Sequence, residues 1–367
     1  MTADIEVIPP RSLGMDDIET LAVGAAFYGC GTGGSLVEGQ ILIAALAGRL
    51  GPGRIDIVAL DTLSESARVA VPTSFARPRN VASIHAAASA FGALADRTGG
   101  PFDAVMPADL GIVSVLIACA VAAEHGIPIV DAGGATRAAT HLDQTTWAAA
   151  GVVPQAAVLS DGVDHVAIES DSVAVADRSI RALVANDTLG GSVASATWAM
   201  RGPTARRSSL PGIVSAALRA GQAVAAASSA GGDPVAELVR VAPGAVLAGR
   251  GRIAEVTVAL HERTEHFEIR VETASGSLEV LSVDGHLQLR TDGELVVAAP
   301  DLISVPTPGG LGCSPRDLAA PAMEGQVVAV VAAPEPTADG LALDAAAFRA
   351  AHRLLGGDGE PVPFSLS

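Results

Sequence analysis

Short apolar runs alternate with longer amphipathic or Ala-rich stretches through the first 150 residues. Residues 54–60 (RIDIVAL), 103–106 (DAVM) and 127–130 (IPIV) read as buried strands. An acid follows each within three residues: Asp61, Asp109 and Asp131. Residues 14–26, 35–50, 80–98 and 111–125 read as helices. The first carries Asp16 and Asp17 in its opening turn, where the helix dipole favours acids, and Ser35 is a cap for the second. Strands alternating with helices imply parallel pairing in an α/β layer architecture.

After about residue 155 the pattern changes. Residues 156–185 mix short strand-like runs with acids. Residues 190–230, rich in Ala, Ser and Gly, read as helical, with Pro211 starting one helix. From Gly244 onward the alternation is that of strands. Asp284-Gly285 and Asp292-Gly293 mark tight turns of a β-meander, and residues 325–334 (GQVVAVVAAP) make one more buried strand. At 367 residues the chain fits two domains. The expected division is an α/β domain with parallel strands and flanking helices over 1–170. A helical connection and a mainly-β (α+β) meander domain then cover 171–367.

Composition narrows the chemistry. Apolar residues make up 49% and charged residues 17%, which excludes a disordered or coiled-coil chain. The formal charge of −17 argues against nucleic acid and anionic membranes as partners. All 23 basic residues are Arg, so no lysine Schiff base or Walker-type phosphate lysine can form. Three cysteines, Cys30, Cys119 and Cys313, are too few and scattered for a disulfide scaffold. The apolar run 112–123 falls short of the roughly 20 residues a membrane span needs. The first 14 residues lack the apolar stretch of a signal peptide. A cytoplasmic protein working on a small molecule is expected, with a homo-oligomer as the default assembly.

The richest motif is the loop Gly29-Cys30-Gly31-Thr32-Gly33-Gly34. Gly29, Gly31 and Gly34 fit G-x-G-x-x-G, and Asp61 closes a following strand, so a dinucleotide site is one reading. A glycine loop lining another site is a second reading, and a structural turn a third. Cys30, at or near a helix start, is a candidate low-pKa thiol, as nucleophile or metal ligand. Cys119 reads as core, and Cys313, in GGLGCSP, as a loop thiol. Asp109 and Asp131 follow strand ends, where parallel sheets bind ligands. Arg137, His141 and Asp143 follow closely, and a His among carboxylates can serve as base or ligand.

Five stretches in order resemble one family: GCGTGGS, DAVMPADLG at 103–111, and GIPIVDAGGATRA at 126–138 with Thr145-Thr146 after it, then PGIVSAALRAG at 211–221 and DGELVVAAPDLI at 292–303. Together they resemble the S-methyl thiohydantoin desulfurase family, whose members are often encoded beside hydantoinases. The resemblance implies an α/β domain followed by a mainly-β domain. It also implies hydrolytic loss of methanethiol from an S-methyl thiohydantoin ring to give a hydantoin. Family members are described as zinc enzymes with a lysine ligand and a working cysteine. The chain departs from that pattern. It has no lysine, and Arg252 stands where G-K-[VI] is common. The family's D-A-D-G-M-G-R-A is here Asp131-Ala132-Gly133-Gly134-Ala135-Thr136-Arg137-Ala138, without the second acid. His141 replaces a frequent Glu, and the acid of VMPxE is Asp109.

The leading expectation is an enzyme acting on a small nitrogen heterocycle or amidine-like substrate, by hydrolysis or related ring chemistry. Cys30 would be nucleophile or thiolate ligand, Gly31, Thr32, Gly33 and Gly34 would line the substrate, and Asp109 and Asp131 would orient it or bind metal. Arg137 would hold a carboxylate, and His141 would move protons. Zinc enters only through the resemblance, against the missing lysine. The alternatives are an NAD(P)-dependent oxidoreductase using Gly29, Gly31 and Gly34, or a non-catalytic accessory or binding subunit.

Overall fold

The computed structural model describes residues 11–76, 82–186, 189, 192–261, 264–337, 340–356 and 364–366. Two sheets organise the chain. In the first, the strands run in the order Arg11–Leu13, Ile55–Ala59, Ile129–Gly133, Ala104–Val105, Arg68–Ala76, Ser192–Arg201, Ala156–Ser160 and His165–Glu169. The inner four, from Ile55–Ala59 to Arg68–Ala76, are parallel, as the alternation of strands and helices predicts. Ser192–Arg201 and the two strands beyond it continue the sheet antiparallel.

The helices follow the sequence pattern closely. Met15–Tyr28, Leu36–Leu50, Ile84–Arg97 and Ile112–His125 form, and Ser35 Oγ accepts the Glu38 amide as the second helix's cap. Residues 112–122 of the last are buried on every side, so this helix is apolar all round because protein surrounds it. Among the described residues no helix is long and apolar enough to cross a membrane.

One expectation fails. Residues 192–201 are a central strand, not a helix. Its Ser and Ala residues carry little propensity either way, and pairing with Arg68–Ala76 decides the matter. The ladder slips between Val69 and Val71, and opposite that slip Trp198 adopts φ 51°, which lays its ring 5.4 Å from that of Trp147. The chain therefore stays with the first sheet well past residue 171. The second sheet begins only at Val246.

The second sheet is wholly antiparallel, in the order Glu294–Ala298, His286–Thr291, Gly276–Val283, Thr264–Thr273, Val246–His261, Val327–Ala333 and Leu302–Ser304. Both Asp-Gly pairs turn the chain as expected. Asp292 and Gly293 both have positive φ, 49° and 86°, the pair of values a type I′ turn requires.

Helix Met15–Tyr28 lies backbone-to-backbone against helix Ile213–Ser229. A Cβ on Gly24 would stand 1.7 Å from the Ala217 carbonyl oxygen, and one on Gly221 would stand 1.9 Å from that of Thr20. The Ala-rich composition is the sequence form of this close approach. Gly24→Ala should therefore lower stability by at least about 2 kcal/mol in urea unfolding. Gly48, exposed in helix Leu36–Leu50 with nothing within 4 Å, should instead gain about 0.5–1 kcal/mol as Ala.

Candidate active site

The glycine loop joins two helices, Met15–Tyr28 and Leu36–Leu50. A dinucleotide fingerprint needs a strand before the first glycine, and here a helix stands there. Asp61, its would-be ribose partner, is exposed in a short 3₁₀ turn. The glycines answer to packing instead. Gly31 (φ 73°) lets the His286 ring approach to 2.6 Å of where a Cβ would sit, and Gly33 (φ 78°) lets the Gly111 backbone do the same.

Cys30 lies just past the C-terminal end of helix Met15–Tyr28, not at a helix start. The dipole end nearest it is the negative one, which disfavours a thiolate. Its side chain is fully buried, and Sγ donates to the Tyr28 carbonyl oxygen at 3.3 Å. Burial pushes the thiol up to about 11, against the opposing pull of the Arg137 guanidinium and the Ile303 amide. The expected low-pKa thiol is thus not what this closed site holds. Cys313, expected in an open loop, is also buried, at 3% exposure.

Arg137 is the centre of the arrangement. It is 1% exposed and lies in the loop after strand Ile129–Gly133, from which its side chain reaches backbone carbonyls of the second sheet's region. Nη1 donates to the Asp301 carbonyl oxygen at 3.0 Å, and Nη2 to that of His286 at 2.9 Å. Its guanidinium carbon lies 5.4 Å from the Phe348 ring centre. Nε has no partner among the described residues. Arg137 lies near Cys30, but its two outer nitrogens hold the protein's own carbonyls.

Glu335 completes the cluster, and the motif reading missed it. Thr136 Oγ1 lies 2.8 Å from both of its carboxylate oxygens, and its amide donates to Asp301 Oδ1 at 2.9 Å. Glu335 keeps some exposed surface, but its carboxyl group lies deep. Burial pushes it up to about 8, although Thr136 and Arg137 favour the charged form. A signal for it was present. The chain carries Ala-Ala-Pro-acid twice, ending in Asp301 and Glu335, each just beyond an apolar strand.

His286 joins the loop to the second sheet. Its amide donates to the Cys30 carbonyl oxygen at 2.8 Å. Nε2 lies 3.0 Å from the Cys313 carbonyl oxygen, which can only accept, so the proton sits on Nε2 and Nδ1 accepts from Ser282 Oγ at 2.9 Å. Full burial lowers its pKa to about 4, so the ring is neutral. Gly285 beside it has no room for a side chain, because a Cβ would lie 1.6 Å from Thr32 Oγ1.

The other expected residues sit elsewhere. Asp109 accepts the Gly111 amide at 2.7 Å and the Ala139 amide at 3.2 Å, tying two loops together, and burial raises it to about 6. Asp131 accepts the Ser215 amide at 3.0 Å and its hydroxyl at 2.6 Å, so it caps helix Ile213–Ser229. His141 pairs on the surface with Asp177, at 2.9 Å, and Asp177 also pairs with Arg181. The bonds of these three run to backbone amides, the buried Ser215 hydroxyl and the surface Asp177, not to the Cys30 cluster.

A lysine-ligated zinc centre does not fit these residues. Among the described residues no group of three or more His, Cys, Asp or Glu side chains could hold a metal. Arg252 is exposed and donates to the Gly325 carbonyl oxygen at 2.8 Å, and a guanidinium has no lone pair to offer.

Two family profiles together match residues 16–338. The S-Me-THD-like N-terminal domain covers residues 16–171, and the S-Me-THD-like C-terminal domain covers 170–338. The chain belongs to the S-methyl thiohydantoin desulfurase-like family. The crystal structure of a protein from Chromobacterium violaceum shares the fold of this family member. Its TM-score is 0.79 at 23% identity, over 96% of this chain and 99% of that one. No curated protein matches. The profiles meet at 170–171, whereas the first sheet keeps the chain until after residue 201, so the C-terminal profile takes in a strand of the N-terminal sheet.

The raised Glu335 gives a stability prediction. Its folded pKa exceeds the unfolded one, so the folded state holds that proton more tightly. Stability is greatest below about 4.5 and falls as pH rises towards about 8. Glu335→Gln should match the parent near pH 5 and be the more stable by at least about 1 kcal/mol at pH 9, read from urea midpoints.

Proposed function

We propose that this family member is a hydrolase that removes the methylthio group from an S-methyl thiohydantoin-type ring. The observation that carries the reading is the meeting of Cys30, Arg137 and Glu335 at the seam between the two sheets. These are the thiol, cation and proton acceptor that displacement at an amidine-like carbon calls for.

In this reading the ionised Glu335 takes the Cys30 thiol proton. The sulfur adds to the ring carbon between the two nitrogens, and methanethiol leaves with a proton. The enzyme-bound thioimidate then takes up water, which restores the thiol and leaves the hydantoin carbonyl. The net change is substrate plus water to hydantoin plus methanethiol. Arg137 Nε is the donor left over for a substrate oxygen or developing anion. None of these steps draws on a metal.

The high thiol pKa favours a second reading, a binding or accessory subunit with no chemistry of its own. Methanethiol release from S-methyl thiohydantoins separates the two. Activity should rise with pH through an apparent pKa near 8 as Glu335 ionises. Cys30→Ser should lower turnover on the order of a thousandfold or more. Unchanged turnover in Cys30→Ser would refute the nucleophile, and no release from the parent protein would favour the binding subunit.

A further inference from the structure

Strand Val246–His261 pairs with Thr264–Thr273 on one side, from Gly251 to His261. On its other side Val327–Ala333 accompanies it only from Val246 to Arg252. That ladder ends where the Ile253 amide donates to the Gln326 carbonyl oxygen and the Ile253 carbonyl accepts the Gly325 amide, both at 3.0 Å. Among the described residues nothing pairs with the outer backbone edge of residues 254–261. Open amides and carbonyls along a regular strand are a template for another strand.

The sequence does not blunt this edge. Residues 254–261 read Ala-Glu-Val-Thr-Val-Ala-Leu-His, without proline or glycine, and Glu255 is their one carboxylate. The β-branched run Val256-Thr257-Val258 favours the extended chain. The register shift lies between Ile253 and Glu255, and from Glu255 to His261 the ladder is unbroken. Val256, Val258 and Leu260 stand opposite Ile269, Phe267 and Glu265 on one face of the sheet. Ile269 and Phe267 belong to the second sheet's core. The core face therefore runs on into Val258, 49% exposed, and Leu260, 70% exposed.

Set antiparallel against a copy of itself, this edge is self-complementary in one register. A two-fold axis at Val258 places that residue opposite Val258 of the second copy. Val256 then faces Leu260, Thr257 faces Ala259, and Glu255 faces His261. The exposed apolar side chains cover one another, and a carboxylate meets an imidazole at each end of the pairing. Glu255 is available for this, because its ion pair with Arg270 is itself exposed. Moving the axis to Thr257 sets Glu255 against Ala259, and moving it to Ala259 carries Glu255 past His261. Neither neighbouring register keeps the charge match.

We propose that residues 255–261 pair antiparallel with the same residues of a second copy of this chain, joining the two second sheets into one continuous sheet. The contact is isologous, so it closes at two chains. It is independent of the reaction proposed above.

The test is sedimentation of the intact chain over a concentration series. The parent should approach twice the chain mass. Val258→Lys sets two ammonium groups opposite each other at the axis and should weaken the dimer at least about tenfold. Val258→Cys provides a second readout. Directly opposed residues have Cα atoms about 4.5–5.5 Å apart, within disulfide reach, so mild oxidation with oxidised glutathione should link this variant to its copy. Thr257→Cys should not link, because its counterpart lies two residues along the partner strand. The native cysteines Cys30, Cys119 and Cys313 are buried, and the parent serves as the control for them. A parent chain that stays monomeric at about 0.1 mM would overturn the proposal. So would a dimer untouched by Val258→Lys, or linkage of Thr257→Cys in place of Val258→Cys.

Discussion

The seating of the turn at residues 284–286 on the loop at residues 30–32 is the contact on which the rest of the site depends. Gly31 gives space to the His286 ring, and Gly285 gives space to Thr32. The His286 amide then reaches the Cys30 carbonyl oxygen, and its own carbonyl receives Arg137. Three chain segments far apart in sequence are thereby fixed by one histidine whose ring is neutral and fully satisfied. A buried polar group is tolerated when every donor and acceptor is met, and here that satisfaction also sets how the two sheets meet.

That contact explains why the fold was more legible in the sequence than the site. Strands such as 55–59 and 129–133, and the apolar helix 112–125, declare themselves through local periodicity, which acts within a few residues. The strand 192–201 does not, because small residues leave its conformation to a partner more than a hundred residues away. The glycine loop was recognisable as special. Its function as a packing surface was not, since the groups that need its empty Cβ positions, the His286 ring and Gly111, lie far along the chain.

Site residues divided along the same line. Cys30 and Arg137 were found from local motif chemistry and do converge. Asp131 and His141 have the right residue types beside a strand end, but one caps a helix and the other pairs on the surface. Glu335 was passed over because its neighbours in sequence are apolar strand and proline, and only Thr136 and Arg137, two hundred residues earlier, make it chemically unusual.

Two of the departures from the resembled pattern, at Gly133 and Thr136, have a physical reading in this structure. The second acid of the family's D-A-D-G-M-G-R-A falls at Gly133, where a Cβ would stand 2.4 Å from Ile213 Cδ1 and 2.9 Å from the Pro107 carbonyl oxygen. No acid fits that position in this packing. Three residues on, where the pattern has glycine, Thr136 supplies the hydroxyl that holds Glu335. Glu335, just beyond strand Val327–Ala333 of the second sheet, is the carboxyl group that lies near Arg137. Arg137 needs such a neighbour. A guanidinium buried among carbonyls alone keeps its full charge without a counter-ion, and a carboxyl whose own proton is held until about pH 8 offsets that charge only when it ionises. The charge state of the cluster is therefore set by one proton on Glu335.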